Sequence, residues 1–510
     1  MKRKLLALLL AAAMTMTALT GCGGNQAADN GNKNAENSKT EENGGDAQAK
    51  EGEMPNLVVT YAYLEVPADI DAVTEKLNEI TTEKLGCTVT FIPYTYGNIQ
   101  DQMALTLASP SEQVDCMFGM FRSGIAGAVG KGQLKALDGL LDEYGQDIKA
   151  TLGDYLEGTT VNGEVYGVTT VRDLAGQSAY YFDKAIIDEL QIDLSAVHKY
   201  EDLTPVFAKI KEAYPNLYLA CNSGVKPEGY YMSDDGIQDP LTDKLGVLMD
   251  SSELKVTNLF ESQEYKDFCK MMKEWNDAGY VYPDIITDEA NGGQALMKSG
   301  VVASYQNVYK PGALTENELL AGRELEVAVL GEPISYTSKV QNWSWVIPEN
   351  SVYPELAMQF LNLLYTDADL VNLLNYGVEG KNWVLDADGF ATDGPDTDGY
   401  SDKTAWKSGN AMLSAVWKGD EATLYTDLMD WNKSANKSAA LGFAFDSANV
   451  TSEYTALSSV TAQYRMMIEW GFAADVDASI AEMNDALYAA GLKEYMAEKQ
   501  KQLDAWAAAK

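Results

Sequence analysis

The run V-N-G-E-V-Y-G-V-T-T-V-R-D at residues 161–173 decides how this chain is divided. Asn162-Gly163 is a two-residue hairpin signal, because both central positions of a type I′ turn need φ > 0. The β-branched series Val168-Thr169-Thr170-Val171 then predicts a strand ending in the charged pair Arg172-Asp173. Directly after it comes Ser178-Ala179-Tyr180-Tyr181-Phe182-Asp183-Lys184.

Upstream, Leu57-Val58-Val59-Thr60-Tyr61 reads as a strand. Over 69–84, Ile70, Val73, Leu77 and Ile80 share one helical face and Gly86 ends it. Residues 87–92 form the next strand, Ile99, Met103 and Leu107 mark another helix, and 114–118 a third strand. Strand–helix–strand–helix–strand implies right-handed crossovers and a parallel sheet. In open α/β sheets ligands sit beyond the carboxyl ends of the strands. That nominates the loops 62–65, with Tyr63 and Glu65, and 119–122, with Phe121.

Downstream, a helix is predicted over 202–213 with Leu203, Phe207 and Ile210 inward, then a strand at 217–220 and a loop at 222–232. A further helix over 265–275 places Tyr265, Phe268, Met272 and Trp275 on one face.

The order of these pieces resembles the extracellular solute-binding proteins of ABC importers. Where that family first crosses from one lobe to the other it reads roughly N-G-K-V-Y-G-I-P and later Y-Y-N-K. Residues 162–169 and 180–184 are similar, departing at Glu164 and Thr169. Residues 96–115 resemble Y-x-x-K-x-x-x-x-L-A-S-G-E-x-x-D, with Gln102, Pro110 and Ser111 where K, G and E are usual. Residues 297–304 resemble a second crossing, 340–348 a third, and 354–380 the paired helices beyond it. Residues 375–384, 440–446 and 490–502 resemble a branch with an extra C-terminal region.

The resemblance implies an α/β, two-lobed, type II periplasmic-binding-protein-like fold with three interlobe crossings and a helical C-terminal extension. It assigns 56–172 plus 303–345 to lobe one, 173–302 plus 346–439 to lobe two, and 440–510 to a region associated with both. It also implies a monomer that closes over a solute, most often a sugar, and hands it to permease subunits of an ABC transporter. No cofactor is implied.

The bulk numbers bound the class of protein. A chain of 510 residues with 46% hydrophobic content can bury two cores. A net charge of −38 argues against nucleic acid and against charge-driven binding to anionic lipid. Residues 1–21 read as a signal peptide: Lys2-Arg3-Lys4 is basic, and 5–14 is apolar but too short to span a bilayer. Leu19-Thr20-Gly21-Cys22 resembles a bacterial lipobox, in which Cys22 becomes the lipidated N-terminus and anchors the protein at the outer face of the cell membrane. Residues 22–55 lack aromatic and nearly all large aliphatic side chains and read as a tether, spanning about 30 Å by flexible-chain scaling.

A pyranose ring has an apolar C–H face and a hydroxyl rim, which suits aromatic faces flanked by carboxylates and amides. Trp343, Trp345, Trp383, Trp406 and Trp417 are candidates on this ground, against the alternative that large aromatics fill cores. Tyr63, Tyr230, Tyr231, Asn307 and Tyr309 lie on segments that the resemblance puts at the cleft. Arg172 and Asp173 sit at the hinge as ligand groups or as an internal ion pair, and Glu65 and Glu379 are further polar candidates.

Other chemistries fit poorly. The acidic run from Asp386 lacks the Glu that an EF-hand needs at position twelve, so it reads as a solvated hairpin and no metal is expected. The single histidine, His198, cannot supply a two-His zinc site. Gly124–Gly132 has the wrong spacing for a phosphate loop. Cys87, Cys116, Cys221 and Cys269 form no C-x-x-C and read as buried thiols. A secreted carbohydrate-active enzyme is the main alternative, since a carboxylate pair hides easily among 76 acidic residues; a surface signalling protein on the same fold is another.

Overall fold

The computed structural model describes residues 54–109, 111–121, 124–224 and 238–510. Strand β1 (Asn56–Tyr63), helix α1 (Ile70–Leu85), β2 (Thr88–Thr95), α2 (Ile99–Leu107) and β3 (Cys116–Met120) reproduce the expected alternation. β1 pairs in parallel with both β2 and β3. Helix α1 buries Val73, Leu77 and Thr81 at four-residue spacing, and Gly86 at φ 67° ends it by turning its N–H back to Thr81 and Thr82. The 162–163 turn is present as read: Val161 pairs with Glu164, and Asn162 and Gly163 lie at φ 52° and 89°.

Strand β4 (Val168–Thr169) closes the first sheet, and the chain then crosses to β5 (Gly176–Asp183) in a second sheet. Helix α3 (Gln263–Asp277) buries Tyr265, Phe268, Cys269, Met272 and Trp275 on one face, with Ser262 accepting the Tyr265 N–H as its cap. β6 (Ser304–Val308), α4 (Ala313–Ala321) and β7 (Leu325–Ser335) complete most of the second sheet. The chain returns through 336–342 to β8 (Trp343–Val346), antiparallel between β3 and β4. Helices α5 (Pro354–Leu363) and α6 (Ala368–Tyr376) pack on the first sheet. Helix α7 (Leu424–Ser434) leads a third crossing to β9 (Asn436–Lys437), beside β7. The first sheet has the order β2-β1-β3-β8-β4 and the second β6-β5-β7-β9.

Each sheet organises its own core. Val59, Leu77, Phe118, Trp345 and Leu361 belong to one, and Tyr180, Phe207, Trp275 and Tyr305 to the other. Helices α8 (Thr451–Glu469), α9 (Val476–Ala489) and α10 (Leu492–Ala509) add Leu457, Met483, Leu487 and Tyr495 to the second core, with Trp470 at the end of α8.

Three expectations are corrected here. Residues 297–304 are not an interlobe crossing: β6 pairs with β5, and Val302 bridges Tyr218, all within the second lobe. The division after residue 302 is correspondingly exchanged. Residues 303–335 belong to the second sheet, while α5 and α6, within the expected second-lobe segment 346–439, pack in the first core. The crossings are 170–175, 336–342 and the exit from α7. Sequence pattern alone could not separate these arrangements, because an apolar strand looks alike whichever sheet it joins. The strand read at 217–220 is reduced to single bridges from Tyr218 and Ala220.

Residues 1–53, including Cys22, lie outside the described residues. No helix among the described residues is long and apolar enough to cross a membrane.

Candidate functional site

The carboxyl ends of β1, β2, β3 and β4 and the start of β8 share one edge of the first sheet, because β8 runs antiparallel to β3 and β4. That edge is therefore lined by the residues just past each strand end: Tyr96 after β2, Phe121 after β3, Arg172 after β4, and with them Trp343 at the head of β8. Trp406 joins them because Thr170 Oγ1 donates to its backbone carbonyl at 2.6 Å. Trp343 lies 5.1 Å from Trp406, 5.5 Å from Tyr96 and 5.6 Å from Phe118 between ring centroids. Trp343, Trp406 and Tyr96 are half-buried and pack against one another.

Beneath this cluster sits a buried cation. Lys407 Nζ donates to the carbonyl of Ala62 at 3.0 Å and to Asp402 Oδ2 at 2.5 Å. It lies 4.7 Å from the centroid of Tyr63 and 5.0 Å from that of Tyr61. Burial pushes the lysine down from its ordinary value, opposed by the Asp402 carboxylate. Tyr63 is fully buried, its hydroxyl 3.2 Å from that of Tyr400, and burial raises its phenol. Tyr63 is thus a support under the edge and not its surface.

The crossings meet at Arg172. Its guanidinium is buried and donates to the carbonyls of Asp173 and Lys339, both at 2.7 Å. Asp173 pairs with Lys339 at 2.8 Å. Burial opposes the Asp173 charge, but Lys339, Arg172 and Lys310 outweigh it and hold the carboxyl well below the usual range. Asn432 of α7 brings in the third crossing: Nδ2 donates to Arg172 O at 2.6 Å and Oδ1 accepts from Leu174 N at 2.8 Å. Arg172 and Asp173 are thus both engaged between the first two crossings, Arg172 through backbone carbonyls and Asp173 through Lys339.

On the second sheet, the start of β5 and the end of β6 face the crossings. Asn307 accepts from Ser223 Oγ at 2.9 Å and donates to Asn317 at 3.0 Å. Tyr309 is half-buried and its N–H bonds Gln177 O, while Trp431 Nε1 donates to Gln177 Oε1 at 3.0 Å. Three buried polar atoms along the first-sheet edge and the crossings have no partner among the described residues: the Tyr96 hydroxyl, Arg172 Nε and Asn342 Oδ1. They offer a hydroxyl, a donor and an acceptor, and an unmet buried group of this kind is destabilising by about 1–3 kcal/mol until something pairs with it.

The remaining candidates separate. Trp345 is fully buried, stacks on Tyr61 and donates to Ser408 O, so it is core. Trp383 is buried in a small cluster with Tyr376 and Ala391, and Trp417 packs on Tyr376; neither joins the Trp343 cluster. Trp383–Leu385 and Ala391–Asp393 form the hairpin expected there, with Asp386 paired to Lys418. Phe121 is nearly buried and Glu65 is exposed beyond β1. Tyr230 and Tyr231 lie outside the described residues. Cys87, Cys116, Cys221 and Cys269 are buried free thiols. Among the described residues no group of three or more His, Cys, Asp or Glu is placed to hold a metal ion.

Sequence reading missed Tyr96, Asn342, Lys407 and Asn432. Tyr96 escaped notice because the strand read at 87–92 runs on to Thr95, which puts Tyr96 directly past its carboxyl end. Lys407 and Asn432 carry no sequence signal, because what distinguishes them is burial against distant segments.

Residues 75–377 match the family described as bacterial extracellular solute-binding protein, and residues 439–508 match a domain of unknown function (DUF3502). A carbohydrate ABC transporter substrate-binding protein from Streptococcus pneumoniae is 27% identical, over 89% of this chain and 92% of that one. The crystal structure of an N-glycan transport solute binding protein from the same species superposes with a TM-score of 0.75 at 25% identity, covering 88% of this chain and 98% of that one. Its complex with Man5GlcNAc gives a TM-score of 0.65 at 26% identity, over 89% and 98%.

Proposed function

We propose that this chain, which belongs to the bacterial extracellular solute-binding proteins, captures an oligosaccharide between its lobes and presents it to the permease of an ABC importer. The observation that carries the reading is the half-buried trio Tyr96, Trp343 and Trp406 at the carboxyl edge of the first sheet, beside the crossings. Flat apolar faces next to unpaired polar atoms match a sugar ring, which presents C–H faces and hydroxyls together. The complexes of the N-glycan transport protein with Man1GlcNAc and Man5GlcNAc support the same ligand class.

The protein acts without turnover. Ligand favours the closed arrangement of two lobes in proportion to its preference for that state. Lipid on Cys22, continued by the 23–55 tether, holds the binder at the outer face of the membrane, and it works as a monomer.

The test is calorimetric titration of the purified protein with oligosaccharides, Man5GlcNAc among them, and with peptides and nucleosides as controls. Small-angle scattering accompanies it. A saccharide should bind and reduce the radius of gyration, with no product formed over hours by chromatography. A peptide as the best ligand would end the sugar reading. Steady turnover lost on removing one carboxylate at the lobe junction would replace the binder with an enzyme.

A further inference from the structure

The C-terminal helix α10 carries a lysine whose charge lies inside the protein. Lys499 is fully buried, an unusual state for this residue type. Its Nζ lies 2.6 Å from Asp243 Oδ1, 2.9 Å from the carbonyl of Leu245, 3.2 Å from that of Gly246 and 3.3 Å from that of Leu241. It also lies 5.1 Å from the ring centroids of both Phe445 and Tyr495. Four oxygens from one short loop and two aromatic faces thus converge on a single charge.

The loop is shaped for that convergence. Leu241, Thr242 and Lys244 adopt φ values of 43°, 84° and 62°, and Gly246 lies at 90°. Three non-glycine residues at positive φ within four positions are sterically unfavourable and persist only where surroundings over-determine them. The loop so turned brings the carbonyls of Leu241, Leu245 and Gly246 to one point. The Asp243 carboxylate is braced as well: Oδ1 accepts from Leu245 N at 2.8 Å and Oδ2 from the Tyr495 hydroxyl at 2.5 Å. Asp239 is buried nearby, and burial raises its carboxyl against the smaller lowering effects of Ser438, the Leu241 N–H and the Lys499 charge. The contact distances are those of an ammonium; calcium would need oxygens at about 2.3–2.6 Å.

We propose that the Asp239–Gly246 loop is an interior cation site filled by the chain's own Lys499 ammonium, and that delivering this cation is a role of the C-terminal region matched at 439–508. With the amine removed, the oxygen cage is left uncompensated and accepts a small organic ammonium in its place. The site lies in the second lobe and does not depend on the saccharide reading.

Thermal melting of the purified full-length protein tests it. Lys499→Met keeps an unbranched stem along the two rings but removes the charge, and should melt on the order of 10 °C lower, as for a broken buried ion pair in a lobe of this size. Lys499→Ala deletes a stem that propylammonium reproduces. Propylammonium chloride should raise its melting temperature by several degrees, while 1-propanol and sodium chloride do not and the parent protein is unaffected. If Lys499→Ala fails to fold, its yield of refolding from denaturant is compared in propylammonium and in propanol. Melting of Lys499→Met with the parent, or equal effects of amine and alcohol in either assay, would overturn the proposal.

Discussion

Arg172 on the first crossing donates to the backbone carbonyl of Lys339 on the second at 2.7 Å, while Lys339 Nζ pairs with Asp173 at 2.8 Å. The two segments that join the lobes are therefore tied by a reciprocal exchange, each giving a cation to the other. Asn432 extends the tie to the third crossing through Arg172 O and Leu174 N. A hinge built this way bends where the backbone bends but does not separate into independent strands.

Arg172→Met should remove the donors to both carbonyls and leave the Asp173 carboxylate with one cation fewer. Breaking a buried charged contact by deleting one partner is destabilising by about 3–5 kcal/mol. The expected outcome is a lower melting temperature with saccharide affinity reduced through looser hinge geometry. An unchanged melting curve would show that the tie contributes nothing.

Asp173 sets a pH dependence. Its folded carboxyl is held well below the unfolded value of about 3.9, so the unfolded state binds the proton first. The stabilisation is fully present above about pH 4 and is lost as pH falls through the folded value. Asp173→Asn should melt below the parent at pH 7, and the gap should narrow as pH drops under about 4. A gap that is constant with pH would contradict this assignment.

Trp343 and Trp345 are two residues apart and should behave oppositely. Trp345→Ala empties a site in a fully buried core and should destabilise by about 3–5 kcal/mol. Trp343→Ala or Trp406→Ala trims a half-buried face and should melt closer to the parent, with saccharide affinity down at least tenfold, about 1.4 kcal/mol. Parallel melting and calorimetry on the three variants distinguishes the roles. Undiminished affinity in both edge variants would remove this edge from the site.

Cys22→Ala should abolish incorporation of labelled fatty acid in cells and release the protein from the membrane, while the melting temperature of the protein stays that of the parent. Equal labelling of variant and parent would end the lipoprotein reading.

Periodicity and turn chemistry determined much of this molecule by themselves. The alternation over residues 56–120 contains its own β-α-β units, each with a local apolar period and a local stop such as Gly86, so its parallel sheet was legible. So were the 162–163 hairpin, the face of α3 that buries Trp275, and the strand entering the first crossing. What only the tertiary structure decided is which sheet a strand joins and which tryptophan reaches solvent. β6 and β7 join β5, and β8 returns between β3 and β4, because of pairing across more than a hundred residues that no local pattern encodes. Within the W-S-W run of β8, successive side chains point to opposite sides of a strand, whereas Trp343 and Trp345 share a side and differ only by position along it. Trp343 stands at the sheet edge and Trp345 one step inside, over Tyr61, and that step separates a candidate sugar platform from core. Lys407 and Lys499 show the same limit: a lysine reads as surface until distant segments bury it and supply the oxygens that keep its charge.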